Sequence, residues 1–298
     1  DGAYYFHVRA RDAAANASLY SGAFSFEVDG TAPSAPQNLV GPSSPTNNLK
    51  PTLSWEEVSD AATYKVQRSM DPLFGIYTES VVTSSSWRST QNVTDNVTIY
   101  WRVISVDKAG NDSTPSAVSS FTTDATPPPV PVLWSPAEGA VVSAASVTLN
   151  WQVAAGATRY RLQAATDSGF YSVILDSTPT ATSQDVSPQD GTYYWHVAAI
   201  DDAGNSSAYS GYRTVIKDTT PPNVPVPQSP ANEARFSKKR PVLQWSDESA
   251  SGATAYIVAL KDKDGTLVVD PPPEPTSTSY TPAVHLQDAL GPFTWVVP

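Results

Sequence analysis

A block of alternating aromatic and aliphatic residues returns four times along the chain at nearly constant intervals. It reads Tyr4-Tyr5-Phe6-His7-Val8, Ile99-Tyr100-Trp101-Arg102-Val103, Tyr193-Tyr194-Trp195-His196-Val197 and Phe293-Thr294-Trp295-Val296-Val297. The central aromatics, Phe6, Trp101, Trp195 and Trp295, are 95, 94 and 100 positions apart. A fixed period of this length marks a tandem array of small domains. Function then belongs to the array before it belongs to any single residue.

Within the third copy the alternation continues strand by strand. Val147, Leu149 and Trp151 share one face of a first segment, and Tyr160, Leu162 and Ala164 share one face of the next. Leu53 and Trp55, then Tyr64 and Val66, are their counterparts in the second copy; Leu243 and Trp245, then Tyr256 and Val258, in the fourth. In the repeated block Tyr193, Trp195, Val197 and Ala199 are expected to face inward and Tyr194, His196 and Ala198 outward, and a last strand from Tyr209 to Ile216 is expected to close the unit. About seven short alternating strands per period, separated by turn signals, specify an all-β tandem array of seven-stranded antiparallel β-sandwiches. Two inward tryptophans per unit, one from each sheet, form the centre of each core. Each is worth about 3–5 kcal/mol against truncation to Ala. The 298 residues then divide into 1–30, the last two strands of one unit; 31–125 and 126–219, two whole units; and 220–298, a unit lacking its last strand.

Trp151, Tyr160 and Tyr193-x-Trp195-x-Val197-x-Ala199 followed by Asp201 resemble the second, third and sixth strands of fibronectin type III domains. The Asp-x-Ala-Gly-Asn-x-Ser turn with the following Asp-x-Thr-x-Pro is similar to a variant found in large bacterial and archaeal surface proteins. The resemblance covers essentially the whole chain and implies an Ig-like sandwich and an extracellular, cell-surface location. Two positions depart from it. Ile99 stands where the family has tyrosine, and Ala15 stands where the turn has glycine, which predicts a different turn in the first copy. No Arg-Gly-Asp tripeptide occurs.

Proline punctuates the boundaries: Asp29-Gly-Thr31-Ala-Pro33-Ser-Ala-Pro36, Asp124-Ala-Thr126-Pro-Pro-Pro-Val-Pro131 and Asp218-Thr-Thr220-Pro-Pro-Asn-Val-Pro225. Fixed φ and extended preference make these joints semi-rigid spacers, which a stalk or filament needs and a Gly/Ser linker does not provide.

Chemistry is sparse. A net charge of −11 and a pI near 4.6 argue against nucleic acid and anionic membrane as partners. No apolar run reaches the roughly 20 residues that span a bilayer, so no membrane insertion is expected in this segment. There is no cysteine, and three histidines offer little soft-metal binding. His7 and His196 share a repeat position with Arg102 and Val296, an exchange that no catalytic base tolerates, and His285 has no evident partner. No phosphate loop, nucleophile elbow or zinc motif appears, and the chain reads as no enzyme. Asp107, Asn111, Asp112 and Asp124, or Asp201, Asp202, Asn205 and Asp218, are candidate calcium ligands at a joint, no other cofactor being implied. The plainer reading is that Asp and Asn shape the turn through local hydrogen bonds. Asn16, Asn92, Asn96, Asn111 and Asn205 head Asn-x-Ser/Thr sequons, three of them in the same turn, where the turn's own demand for Asn is the competing account. Tyr5, Tyr100 and Tyr194 present one outward aromatic per repeat, as cross-strand partners, lateral contacts or a platform for surface glycans.

Two functions fit. The first is a structural, non-catalytic segment of an extracellular fibre, stalk or filament, whose partners are copies of itself or adjoining repeats. The second is a spacer or binding region of a secreted glycan-active enzyme or adhesin. The chain opens and closes on a sixth strand, which fits a piece of a longer protein; head-to-tail completion of one copy by the next is the alternative, separable by intact mass.

Overall fold

A computed structural model describes residues 1–231, 240–262, 264–268, 273–283 and, for the backbone alone, 294–296. Packing divides the chain into two compact units, one of residues 1–140, 146–187 and 192–216, the other of residues 141–145, 188–191 and 217–298.

In the first unit, residues 1–30 form a two-stranded antiparallel ribbon, Gly2–Phe6 against Phe24–Val28. Tyr4 stacks on Phe26 and Phe6 on Phe24, at 5.5 and 5.9 Å between ring centres, and these aromatics remain exposed. Next comes a two-sheet sandwich. Thr52–Ser54 pairs with Ser86–Arg88 in one sheet; in the other, Thr78–Val82, Thr63–Ser69, Thr98–Val106 and Ser119–Thr122 lie side by side in that order. The following sandwich repeats the plan. Ser183–Val186, Val147–Trp151 and Leu133–Ser135 form one sheet, and Val173–Ser177, Arg159–Ala165, Gly191–Ile200 and Arg213–Lys217 run side by side in the other. This is the strand order of a fibronectin type III-like sandwich.

The cores follow the alternation. Leu53, Trp55, Tyr64, Val66, Trp101, Val103 and Phe121 make one buried cluster. Val147, Leu149, Trp151, Tyr160, Leu162, Tyr193, Trp195, Val197 and Ala199 are buried at the same positions of the next sandwich. Each leading tryptophan meets the following tyrosine edge-on: Trp55 with Tyr64 at 5.3 Å, Trp151 with Tyr160 at 5.5 Å. The tyrosine hydroxyl then accepts a backbone N–H from the intervening loop, Val58 at 2.9 Å and Ala154 at 3.1 Å, so one side chain fills the core and pins the loop above it.

Two expectations fail on this face. Ala198, expected in solvent, is buried, because residues 206–210 fold back along its strand: Ser207 and Ser210 donate their N–H to Ala199 and Val197, and Tyr209 lies over His196. The strand expected to run from Tyr209 begins only at Arg213, since these serines bond to the neighbouring strand through side chains as well as backbone. The second unit shows the same start on a smaller scale. Leu243–Trp245 pairs with Pro227–Ser229 and Ser279–Tyr280, Ala259–Lys261 pairs with Thr294–Val296, and Trp245 meets Tyr256 at 5.4 Å. His285 and the side chain of Trp295 lie outside the described residues.

Candidate functional site

The recurring acidic turn is built by its own side chains. Asp107 accepts the Asn111 backbone N–H through Oδ1 and its amide Nδ2 through Oδ2, both at 2.8 Å. Asp201 and Asn205 repeat both bonds at 2.8 Å, and Asp12 and Asn16 repeat them at 2.9 Å. Gly110 and Gly204 turn the chain with φ of +93° and +88°; Ala15 adopts +76° at the same place. The different turn expected in the first copy is therefore absent: Ala15 accepts a left-handed backbone, at a cost on the order of 1 kcal/mol, because the Asp–Asn pair over-determines the loop.

The amide does more than close the turn. Asn111 Nδ2 also donates to the backbone carbonyl of Asp29, and Asn205 Nδ2 to that of Asp124, each at 2.9 Å. Asp29 and Asp124 open the two proline joints of the first unit, so each turn grips the joint by which the chain enters its sandwich. The expected grouping with the joint that follows, at Asp124 for Asn111 or Asp218 for Asn205, is off by one repeat. The turn lies at the end of the sandwich where its own chain enters.

The sandwich that the chain leaves grips the joint as well. Asp95 accepts the N–H of Ala125 at 2.8 Å and the hydroxyl of Thr126 at 3.3 Å. Asp1 accepts the N–H of Gly30 at 2.7 Å and the Thr31 hydroxyl. In the second unit Asp190 accepts the Thr219 N–H at 3.0 Å and the hydroxyls of Thr219 and Thr220 at 2.9 and 3.2 Å, with the buried Lys217 ammonium 3.7 Å away. Each joint also folds on itself, the Thr31, Thr126 and Thr220 N–H groups donating to Asp29, Asp124 and Asp218 at 3.0, 3.1 and 3.0 Å. Pro33 with Pro36, and Pro128 with Pro131, are buried. Their three-residue spacing is the period of an extended proline helix, which puts both rings on one side.

Asp1, Asp95 and Asp190 escape the motif search because each is a lone loop aspartate whose partner lies about 30 residues on. Only the repeat register exposes them: each precedes the aromatic block by three or four residues.

These bonds set the electrostatics. The Asn111 amide holds the Asp107 carboxyl below its ordinary range, the Asn16 amide does so for Asp12, and the Thr219 N–H leads the same effect at Asp190. The carboxylate oxygens proposed as calcium ligands thus receive N–H donors. Among the described residues no three His, Cys, Asp or Glu side chains group as a metal site. The sequon residues are engaged in the same way. The Asn111 and Asn205 amides are bonded as above, and the Ser18, Ser113 and Ser207 hydroxyls accept the N–H of Ala10, Ser105 and Ala199 at 2.9, 3.0 and 2.9 Å. Asn96 donates to the Thr126 hydroxyl at 3.1 Å, and Asn92 is exposed.

On the outward face, His196 lies between Phe170 and Tyr209, with ring centres 3.6 and 3.8 Å apart. Its Nε2 is 3.0 Å from Gln163 Oε1, and Gln163 leads to the Arg161–Asp176 ion pair. Burial, and next the Arg161 charge, push the imidazole down to about 4. Arg102 takes the same place in the preceding sandwich, under Phe74 and bonded to Gln67 at 2.7 Å. Phe74 and Phe170 both reach over with φ of +56°. Outward Tyr5 is 70% exposed, whereas Tyr194 packs edge-on against Tyr212 at 5.5 Å and Tyr100 is half-buried.

No family model matches the chain. Exoglucanase B of Cellulomonas fimi is 32% identical over 239 residues, which are 73% of this chain and 20% of that protein, so the chain spans about one fifth of the relative's length. Among solved structures, the FN1–FN3 domains of chicken CNTN1 align with a TM-score of 0.44 at 17% identity, over 72% of this chain and 77% of that one. The fibronectin(III)-like modules of Clostridium thermocellum CbhA align with a TM-score of 0.42 at 13% identity, over 61% of this chain and 93% of that one. With its paired antiparallel sheets, Trp–Tyr cores and Asp–Asn turns, the chain is a tandem array of fibronectin type III-like sandwiches.

Proposed function

We propose that the chain is a non-catalytic spacer of an extracellular protein, in which successive sandwiches are held at set angles by joints gripped from both sides. The observation that carries this reading is the joint at Asp124–Pro131, bonded to Asp95 of the sandwich it leaves and to Asn205 of the sandwich it enters. A flexible linker has no use for such bonds, and they bring no nucleophile, base or metal together.

The larger protein is either a surface fibre or stalk, or a secreted glycan-active enzyme that uses the array to separate its working parts. The similarity to an exoglucanase favours the second setting. No described helix is long and apolar enough to cross a membrane. The test is backbone ¹⁵N relaxation on the whole chain. Residues 31–125 and 126–217 are expected to report one shared tumbling time. Two shorter, independent times would overturn the spacer reading.

A further inference from the structure

One position in the 31–125 sandwich breaks the inward pattern that its neighbours keep. On the strand Thr63–Ser69 the core-facing residues are Tyr64, Val66 and then Arg68, where the other two sandwiches have buried Ala164 and Leu260. The backbone register makes the correspondence firm: Arg68 pairs with Trp101, Ala164 with Trp195 and Leu260 with Trp295. The opposite sheet departs at the matching place. Trp87 sits across from Leu53, where Gln184 and Tyr280 sit across from Leu149 and Leu243. The Arg68 guanidinium lies 4.0 Å over the Trp87 ring and gives one N–H to Ser80 Oγ at 3.2 Å.

A cation at a core position is costly unless something compensates it. Among the described residues no carboxylate lies within ion-pair distance of Arg68, and its buried Nε has no hydrogen-bond partner. Burial also lowers the guanidinium's affinity for its proton. Arg68 lines an open pocket of about 660 Å³ at that end of the sandwich. Its apolar walls include Met70, Ile76, Tyr77, Val93 and Ile99. The one acid in the lining, Asp71, has its carboxylate turned to the N–H groups of Leu73 and Gly75, at 2.9 and 3.0 Å.

We infer that this pocket binds a small organic carboxylate with a compact apolar body. The Arg68 guanidinium at the pocket wall receives the carboxylate, and the aliphatic and tyrosine walls receive the body. A second charge on the ligand would meet a chain of net charge −11, so a monocarboxylate fits best. This site is independent of the spacer role: its loss leaves the joints untouched.

Calorimetric titration of the whole chain with sodium benzoate, inorganic phosphate and benzyl alcohol tests it. Benzoate is expected to saturate one site. Arg68→Leu, which installs the residue type that Leu260 gives the last sandwich, weakens it at least tenfold, and Arg68→Lys weakens it less. Ile76→Glu changes a side chain 87% exposed, so the fold is spared, and its charge at the mouth also weakens benzoate. No saturable benzoate binding, or equal binding to wild type and Arg68→Leu, overturns the site. Benzyl alcohol binding as well as benzoate overturns the charge assignment, and phosphate binding in place of benzoate overturns the apolar one.

Discussion

Asn205 carries two duties on one amide, closing its turn onto Asp201 and holding the Asp124 carbonyl. Asn205→Ala leaves a buried carboxylate oxygen short of a donor, and the expected loss is about 2 kcal/mol, read as a lower urea midpoint. An unchanged midpoint would show the turn to be held by its backbone alone. His196 sets a pH dependence whose sign follows from its environment. Neutral within its ring stack down to about 4, it takes up a proton near 6.5 once unfolded. Its contribution is therefore complete above pH 6.5 and lost as pH falls from there toward 4. Asp176, held at about 2 by Arg161, adds a second loss only as pH falls below about 4. Comparing urea midpoints at pH 7.5 and 5 isolates the histidine: His196→Gln should remove most of the difference, and a variant that keeps it all would rule out this source.

At the scale of elements, strands and cores were legible from period-two alternation, because a sandwich buries one face of every strand and sequence records which. What alternation does not record is the cover laid over an outward face. Ala198 is buried by a segment that hydrogen-bonds through serine side chains, a pairing invisible to hydropathy. The turn was legible as Asp and Asn at fixed spacing, but its partner was not. A carbonyl about 80 residues earlier, in the joint, leaves no mark of its own in the sequence. Asp95 and Asp190 were harder still, being single residues whose meaning appears only when the repeats are superposed. Arg68 stands at the other extreme. The comparison of Tyr64-x-Val66-x-Arg68 with Tyr160-x-Leu162-x-Ala164 displays the break in pattern directly, and structure adds that Trp87 changes with it.

For the array, the joint is the element that decides behaviour. Each sandwich has its own core, so a mutation in one leaves the next folded, and the joints at Asp29–Pro36 and Asp124–Pro131 in the first unit are held from both sides. The Asn111 amide holds the Asp107 carboxyl below its ordinary range, so the turn that grips the first joint keeps its closing bond at neutral pH. The absence of cysteine in the sequence makes the joint accessible to a direct measurement. Spin labels at Thr90→Cys and Ala181→Cys, both exposed and on either side of the second joint, report its geometry by electron–electron double resonance. A gripped joint gives one narrow distance peak, which broadens when Asp95→Ala and Asn205→Ala are added together. A wild-type distribution already as broad as that of the double variant would contradict the rigid-joint reading.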